Sequence, residues 1–163
     1  MKNSNLMRFA CTPTVVLAFL VSSSAAWASG NHAGGHGESA IGKPGVAAKV
    51  NRTVAVEMWD AMRYTPSDIQ VKKGETIRFA VKNSGHVKHE MTLGTEKELL
   101  EHLAVMKRFP NMEHDEPGKL TLAPGQQGEI IWQFTQTGVV DFACLMPGHF
   151  EAGMKGKVKV AAK

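Results

Sequence analysis

The sequence predicts an all-β protein, a sandwich of sheets interrupted by one helix, and three observations predict it. Short apolar runs alternate with polar residues at a period of two from Val50 to Val160. Turn-forming groups separate these runs about every ten residues, at Lys73-Gly74, Asn83-Ser84-Gly85, Ala123-Pro124-Gly125 and Thr137-Gly138. One segment, residues 95–109, switches to helical spacing. The chain has 163 residues, 43% hydrophobic and 21% charged, which suffices for one packed core and argues against whole-chain disorder.

The elements follow in order. Residues 1–28 read as an export signal: Lys2 and Arg8 give a positive start, Val15 to Val21 an apolar run, and Ala26-Trp27-Ala28 small residues at the two positions a signal peptidase reads. The apolar run is too short to span a bilayer. Residues 29–52 are mostly Gly, Ala, Ser and His without apolar periodicity, and are expected to form a flexible tail. Strands are then expected around Val54-Val56-Met58, Ile69-Val71, Ile77-Phe79-Val81 and Met91-Leu93. Thr95-Glu96-Lys97-Glu98 is a capping box, and Leu99, Leu100, Leu103 and Met106 form a helical stripe behind it. Strands resume at Leu120-Leu122, Ile130-Trp132-Phe134, Val140-Phe142 and Val158-Val160, giving about seven short strands typical of a sandwich.

Charge and cysteine content exclude several functions. The formal charge is +4, and removal of Lys2 and Arg8 with the leader leaves +2, so there is no basic footprint for nucleic acid. Cleavage also removes Cys11, leaving Cys144 as the only cysteine of an exported chain. An unpaired thiol in an oxidising compartment is a liability unless something occupies it.

The densest chemical signal is Cys144-Leu145-Met146-Pro147-Gly148-His149-Phe150-Glu151-Ala152-Gly153-Met154, one loop between two strands. Thiolate, imidazole and thioether together select copper, and two His with one Cys and a weak axial Met make a type 1 copper arrangement. A second histidine is therefore needed from elsewhere. His89, at the start of a strand, is the leading candidate, and His86 competes with it three residues earlier. His32 and His36 in the tail are candidates for weak Cu(II) capture, and Met58, Met62, Met91, Met106, Met112 and His114 for a second, Cu(I)-type site, though core filling is the favoured reading of this second group. A Cys–His nucleophilic enzyme is the alternative from another class. It needs an orienting third group and a substrate cleft that a small sandwich does not advertise, so the chain is expected not to be an enzyme.

The spacing Cys-x4-His-x4-Met resembles the cupredoxins, the plastocyanin, azurin and auracyanin family. Asn83-Ser84-Gly85, His89-Glu90-Met91, Met112-Glu113-His114-Asp115 and Pro147 to Met154 are similar to bacterial exported cupredoxins linked to copper tolerance. The resemblance covers about residues 53–161 and implies a Greek-key β-sandwich domain at 53–163, with the 95–109 helix as an insertion. It also implies His89, Cys144, His149 and Met154 as ligands of one type 1 copper ion, and it is what prefers His89 over His86. The function expected is electron transfer by Cu(II)/Cu(I) cycling in the periplasm, with copper sequestration or delivery for tolerance as the alternative. The expected partner is a redox protein docking on the apolar surroundings of His149 (Leu145, Met146, Pro147 and Phe150). No stable membrane association after signal cleavage and a monomeric state complete the expectation.

Overall fold

A computed structural model describes residues 40–109 and 116–163. The expected leader, the histidines of the tail, and Met112 with His114 lie outside these residues. Every strand the alternation marked is present: β2 (Arg52–Trp59), β4 (Asp68–Lys72), β5 (Thr76–Asn83), β6 (His89–Gly94), β7 (Lys119–Leu122), β8 (Gln127–Gln133), β9 (Gly138–Ala143) and β10 (Lys155–Ala161). Two short strands were not marked, β1 (Lys43–Pro44) and β3 (Arg63–Thr65). They pack as two sheets in the orders β1-β8-β5-β2-β3 and β4-β10-β9-β6-β7, with β2/β5 and β4/β10 parallel and the other pairs antiparallel. The chain crosses between the sheets several times, which makes the fold the Greek-key sandwich that the resemblance implied.

Period-two alternation builds the core directly. In β10, Val158 and Val160 face inward while Lys155, Lys157 and Lys159 face solvent. Phe79, Phe134, Phe142, Met58, Ile77 and Met91 fill the space between the sheets with almost no exposed surface. Tyr64 stands edge-on to Phe142 at 5.0 Å between ring centroids, and Phe79 stands edge-on to Phe134 at 6.2 Å.

The helix α1 (Glu96–Arg108) begins where the capping box placed it. Thr95 accepts from the Glu98 peptide, and the Glu98 carboxylate accepts from Thr95. Loss of such a cap costs about 1 kcal/mol. Leu99 and Leu103 pack on Ala143 and Leu145, so α1 roofs the outer side of β6 and β9. That roof explains why β6 is buried at every position, a pattern a one-faced strand would not show.

One boundary differs from the expectation. The tail was expected to run to residue 52, yet Ile41 lies in the core, Trp132 Nε1 donates to Ile41 O at 2.7 Å, and β1 extends the first sheet. One buried side chain, the indole hydrogen bond, the short β1–β8 pairing and bonds from Gly45 to Ile131 and between Asn51 and Thr76 dock this stretch, and none of them produces periodicity.

Candidate metal centre

His89 opens β6 and Cys144 directly follows β9, and strand parity turns both side chains inward. Met91 and Leu93 on one strand, and Val140 and Phe142 on the other, share the core with Cys144. His89 has no exposed surface, whereas the His86 side chain is 96% exposed in the preceding loop. Structure therefore separates two histidines that spacing alone left in competition.

His149 reaches the same point from the loop. Its Nδ1 lies 3.3 Å from Cys144 Sγ and 3.3 Å from His89 Nδ1. Among the described residues these three form a ligand cluster, with donor atoms all within 4.8 Å of one another. The loop is closed by its own backbone. The His149 peptide donates to Met146 O, the Met154 peptide to His149 O, and the Cys144 peptide to Met154 O, at 3.0 to 3.1 Å. Pro147 and Gly148 make the first of these turns. Gly148 sits at φ +83°, the left-handed position that a Pro-Gly turn of type II reserves for glycine. Met154 is fully buried in the same core cluster as Cys144, and its backbone bonds to both Cys144 and His149. Two outside contacts fix the far side of the loop: Arg63 Nη1 donates to Ala152 O at 2.9 Å, and Lys107 pairs with Glu151.

Beneath the cluster lies a buried carboxylate that the sequence did not single out. Glu90 is 2% exposed, and its backbone N–H points at Cys144 Sγ at 3.3 Å. Its carboxylate accepts from Thr92 Oγ1, Thr121 Oγ1 and the Leu145 peptide, and pairs with the buried Lys119 Nζ at 3.5 Å. The Tyr64 hydroxyl donates to the Glu90 carbonyl at 2.5 Å. Thus β6, β7 and the start of the loop meet at one side chain.

Electrostatics follow from burial. Desolvation pushes the Cys144 thiol up to about 12, against peptide N–H bonds from Met146 and Glu90 that favour the thiolate. Burial, reinforced by the neighbouring His89 ring, lowers His149 below the ordinary imidazole value. It is therefore neutral at neutral pH and free to donate a lone pair. Asp60 is held down to about 2, first by the His86 peptide N–H and then by the His89 and His86 side chains.

One thiol and two imidazoles on a common point, with a buried thioether on the same loop, fit copper better than other biological metals. Fold and donor set together define a type 1 copper protein. Residues 50–161 match the family described as copper binding proteins, plastocyanin/azurin family, and the chain belongs to that family. It is 52% identical over 132 residues to the copper-resistant cuproprotein CopI of Rubrivivax gelatinosus, covering 79% of this chain and 80% of that one. The Vibrio cholerae protein of the same name is 36% identical over 128 residues, covering 78% and 76%. Auracyanin B shares the fold at a TM-score of 0.61 and 20% identity, over 77% of this chain and 99% of that one. A dithionite-reduced auracyanin from Roseiflexus castenholzii gives 0.58 and 22%, over 69% and 98%.

The described methionines weighed for a second site serve as packing: Met62 lies against the main core cluster. Met58 and Met91 are core residues of the sandwich, and Met106 is buried on α1. Asp60, Glu90 and Tyr64 were missed because each contacts its partner in the site across 26 to 55 residues of sequence. The only signal available was the polar Glu90 inside a strand otherwise fit for burial.

Proposed function

We propose that the chain is an exported type 1 copper protein that carries single electrons in the periplasm, in the setting of copper tolerance. The observation supporting this is the clustering of His89 Nδ1, Cys144 Sγ and His149 Nδ1 on a sandwich whose own hydrogen bonds hold them. Bound copper supplies one-electron chemistry by alternating between Cu(II) and Cu(I). Cys144, on losing its proton to solvent, would be the strong donor, with the Glu90 N–H on its sulfur. His89, fixed in a strand, and His149, fixed by loop turns, would donate the nitrogens, and Met154 would be the weak fourth donor. Ligands held by sheet and loop bonds move little when the charge on the metal changes, so reorganisation is small.

No substrate is bound in this reading, and the role is carriage and not catalysis. His149 and its neighbours Met146 and Phe150 are half-buried, with Pro147 and Gly148 exposed beside them. This mixed apolar rim suits brief docking of a monomer with a redox protein. Names of the relatives favour a second reading, copper sequestration or delivery. Counting copper decides between them: one tightly held, redox-reversible ion per chain supports electron transfer, while two or more support handling. Fast electron exchange with a soluble redox partner would strengthen the first reading, and a copper ion that cannot be reduced and reoxidised reversibly would overturn it.

A further inference from the structure

His89 has no exposed surface, so water cannot satisfy the ring nitrogen that faces away from the other two donors. That nitrogen, Nε2, lies 3.0 Å from Asp60 Oδ1, while Nδ1 faces His149. An ionised carboxylate only accepts hydrogen bonds. Nε2 therefore carries the ring hydrogen, and Nδ1 presents its lone pair to the trio.

Asp60 is itself held in place. It sits at the first position of the three-residue turn joining β2 to β3, closed by the Met62 peptide donating to Trp59 O at 2.9 Å. Its carboxylate accepts from the His86 peptide at 2.8 Å, the Val87 peptide at 3.4 Å and the His86 ring at 3.2 Å. Asn83 orders the same loop by accepting from the Gly85 peptide and donating to Val87 O and Leu122 O. Gly85 is the permissive residue. A Cβ there would fall on Asp60 Oδ1 and come within 3.1 Å of His89 Nε2.

We propose that Asp60 is a positioning residue for the copper site: its carboxylate selects the His89 tautomer, fixes the ring, and strengthens Nδ1 as a donor toward Cu(II). A carboxylate on the outer nitrogen of a metal-bound imidazole raises the basicity of the inner one, and its loss usually weakens metal binding about 10- to 100-fold. The Gly85 gap and the loop N–H groups are the features that make the contact possible. This inference rests on reading His89, Cys144 and His149 as the copper ligands.

The test uses the metal-free and copper-loaded protein. Long-range nitrogen–proton NMR of the metal-free chain should show His89 as the Nε2–H tautomer; an Nδ1–H tautomer overturns the proposal without any variant. Asp60→Asn keeps an acceptor but removes the charge, and should raise the reduction potential while the visible band persists. Asp60→Ala and Gly85→Ala should mix the His89 tautomers and lower Cu(II) affinity about 10- to 100-fold. Tautomer, potential and affinity all unchanged in these variants would overturn the role of Asp60 and leave the ligand assignment intact. A visible band that survives Cys144→Ser would instead overturn the ligand assignment.

Discussion

The two halves of the metal centre are built on opposite principles. His89 stands on a fully buried strand, roofed by α1 on one side and held from behind by Asp60. Cys144, His149 and Met154 lie on a loop whose shape comes from a Pro-Gly turn and bonds between its own peptides. The strand half is rigid because the whole sandwich surrounds it. The loop half is held by its own hydrogen bonds, by Arg63, Lys107 and Glu90, and by the burial of Cys144 and Met154 in the core, while His149 stays at the half-buried rim. The difference assigns labour: the strand half fixes geometry, and the loop half offers the half-buried edge of His149, through which electrons would leave in the proposed role.

Cavity variants sharpen this contrast most. His149→Gly should lose the visible spectrum and regain it on addition of imidazole, because His149 lies at the half-buried rim. His89→Gly should lose it without rescue, because no solvent path reaches a residue of 0% exposure. Absorption titrations with imidazole check both, and equal rescue would break the contrast.

Glu90 links the halves, accepting from Leu145 of the loop and pairing with Lys119 of β7. Glu90→Ala leaves the Lys119 charge buried without its partner, an error that costs about 3–5 kcal/mol. Denaturant unfolding of the metal-free protein should show that loss, and the copper site should become less well defined. A change below about 1 kcal/mol would mean that the pair is no more than a surface-like bridge.

The loop half was more legible in the sequence than the strand half, and the reason is physical. Cys144, His149 and Met154 share eleven residues, so spacing alone displays them. His89 needed the fold: only strand parity turns it inward with Met91 and Leu93, while His86 remains in solvent. The helix was legible because a capping box is a local code, satisfied in full by Thr95 and Glu98. β1 and β3 were not, being two and three residues long, too short to show a period. Asp60 and Glu90 act across chain crossings that no local pattern encodes.

The protonation of the loop thiol gives the next prediction. With its pKa raised to about 12, Cys144 is protonated in the metal-free protein at neutral pH, so copper must displace that proton. His149, lowered, is already deprotonated above its ordinary value and adds no proton there. Apparent copper affinity should therefore rise about tenfold per pH unit between pH 7 and 8.5, with about one proton released. Calorimetry in buffers of different ionisation enthalpy checks this, and Cys144→Ser should abolish the release.

Met154 gives the smallest effect, since the colour survives. Met154→Leu removes a soft, weak donor and dries its surroundings, so the potential should rise. Met154→Gln introduces a harder oxygen that favours Cu(II), so the potential should fall. Voltammetry reads both, and no shift in either would remove Met154 from the ligand set.

The central claim, one copper held by His89, Cys144 and His149, is tested most directly by absorption and electron paramagnetic resonance of the copper-loaded protein with the metal counted, beside Cys144→Ser. The expected result is one ion per chain, an intense thiolate-to-copper band and a narrow copper hyperfine pattern, all lost in Cys144→Ser. Two or more tightly bound ions, or a single ion with no thiolate band and a spectrum unchanged by Cys144→Ser, would contradict it.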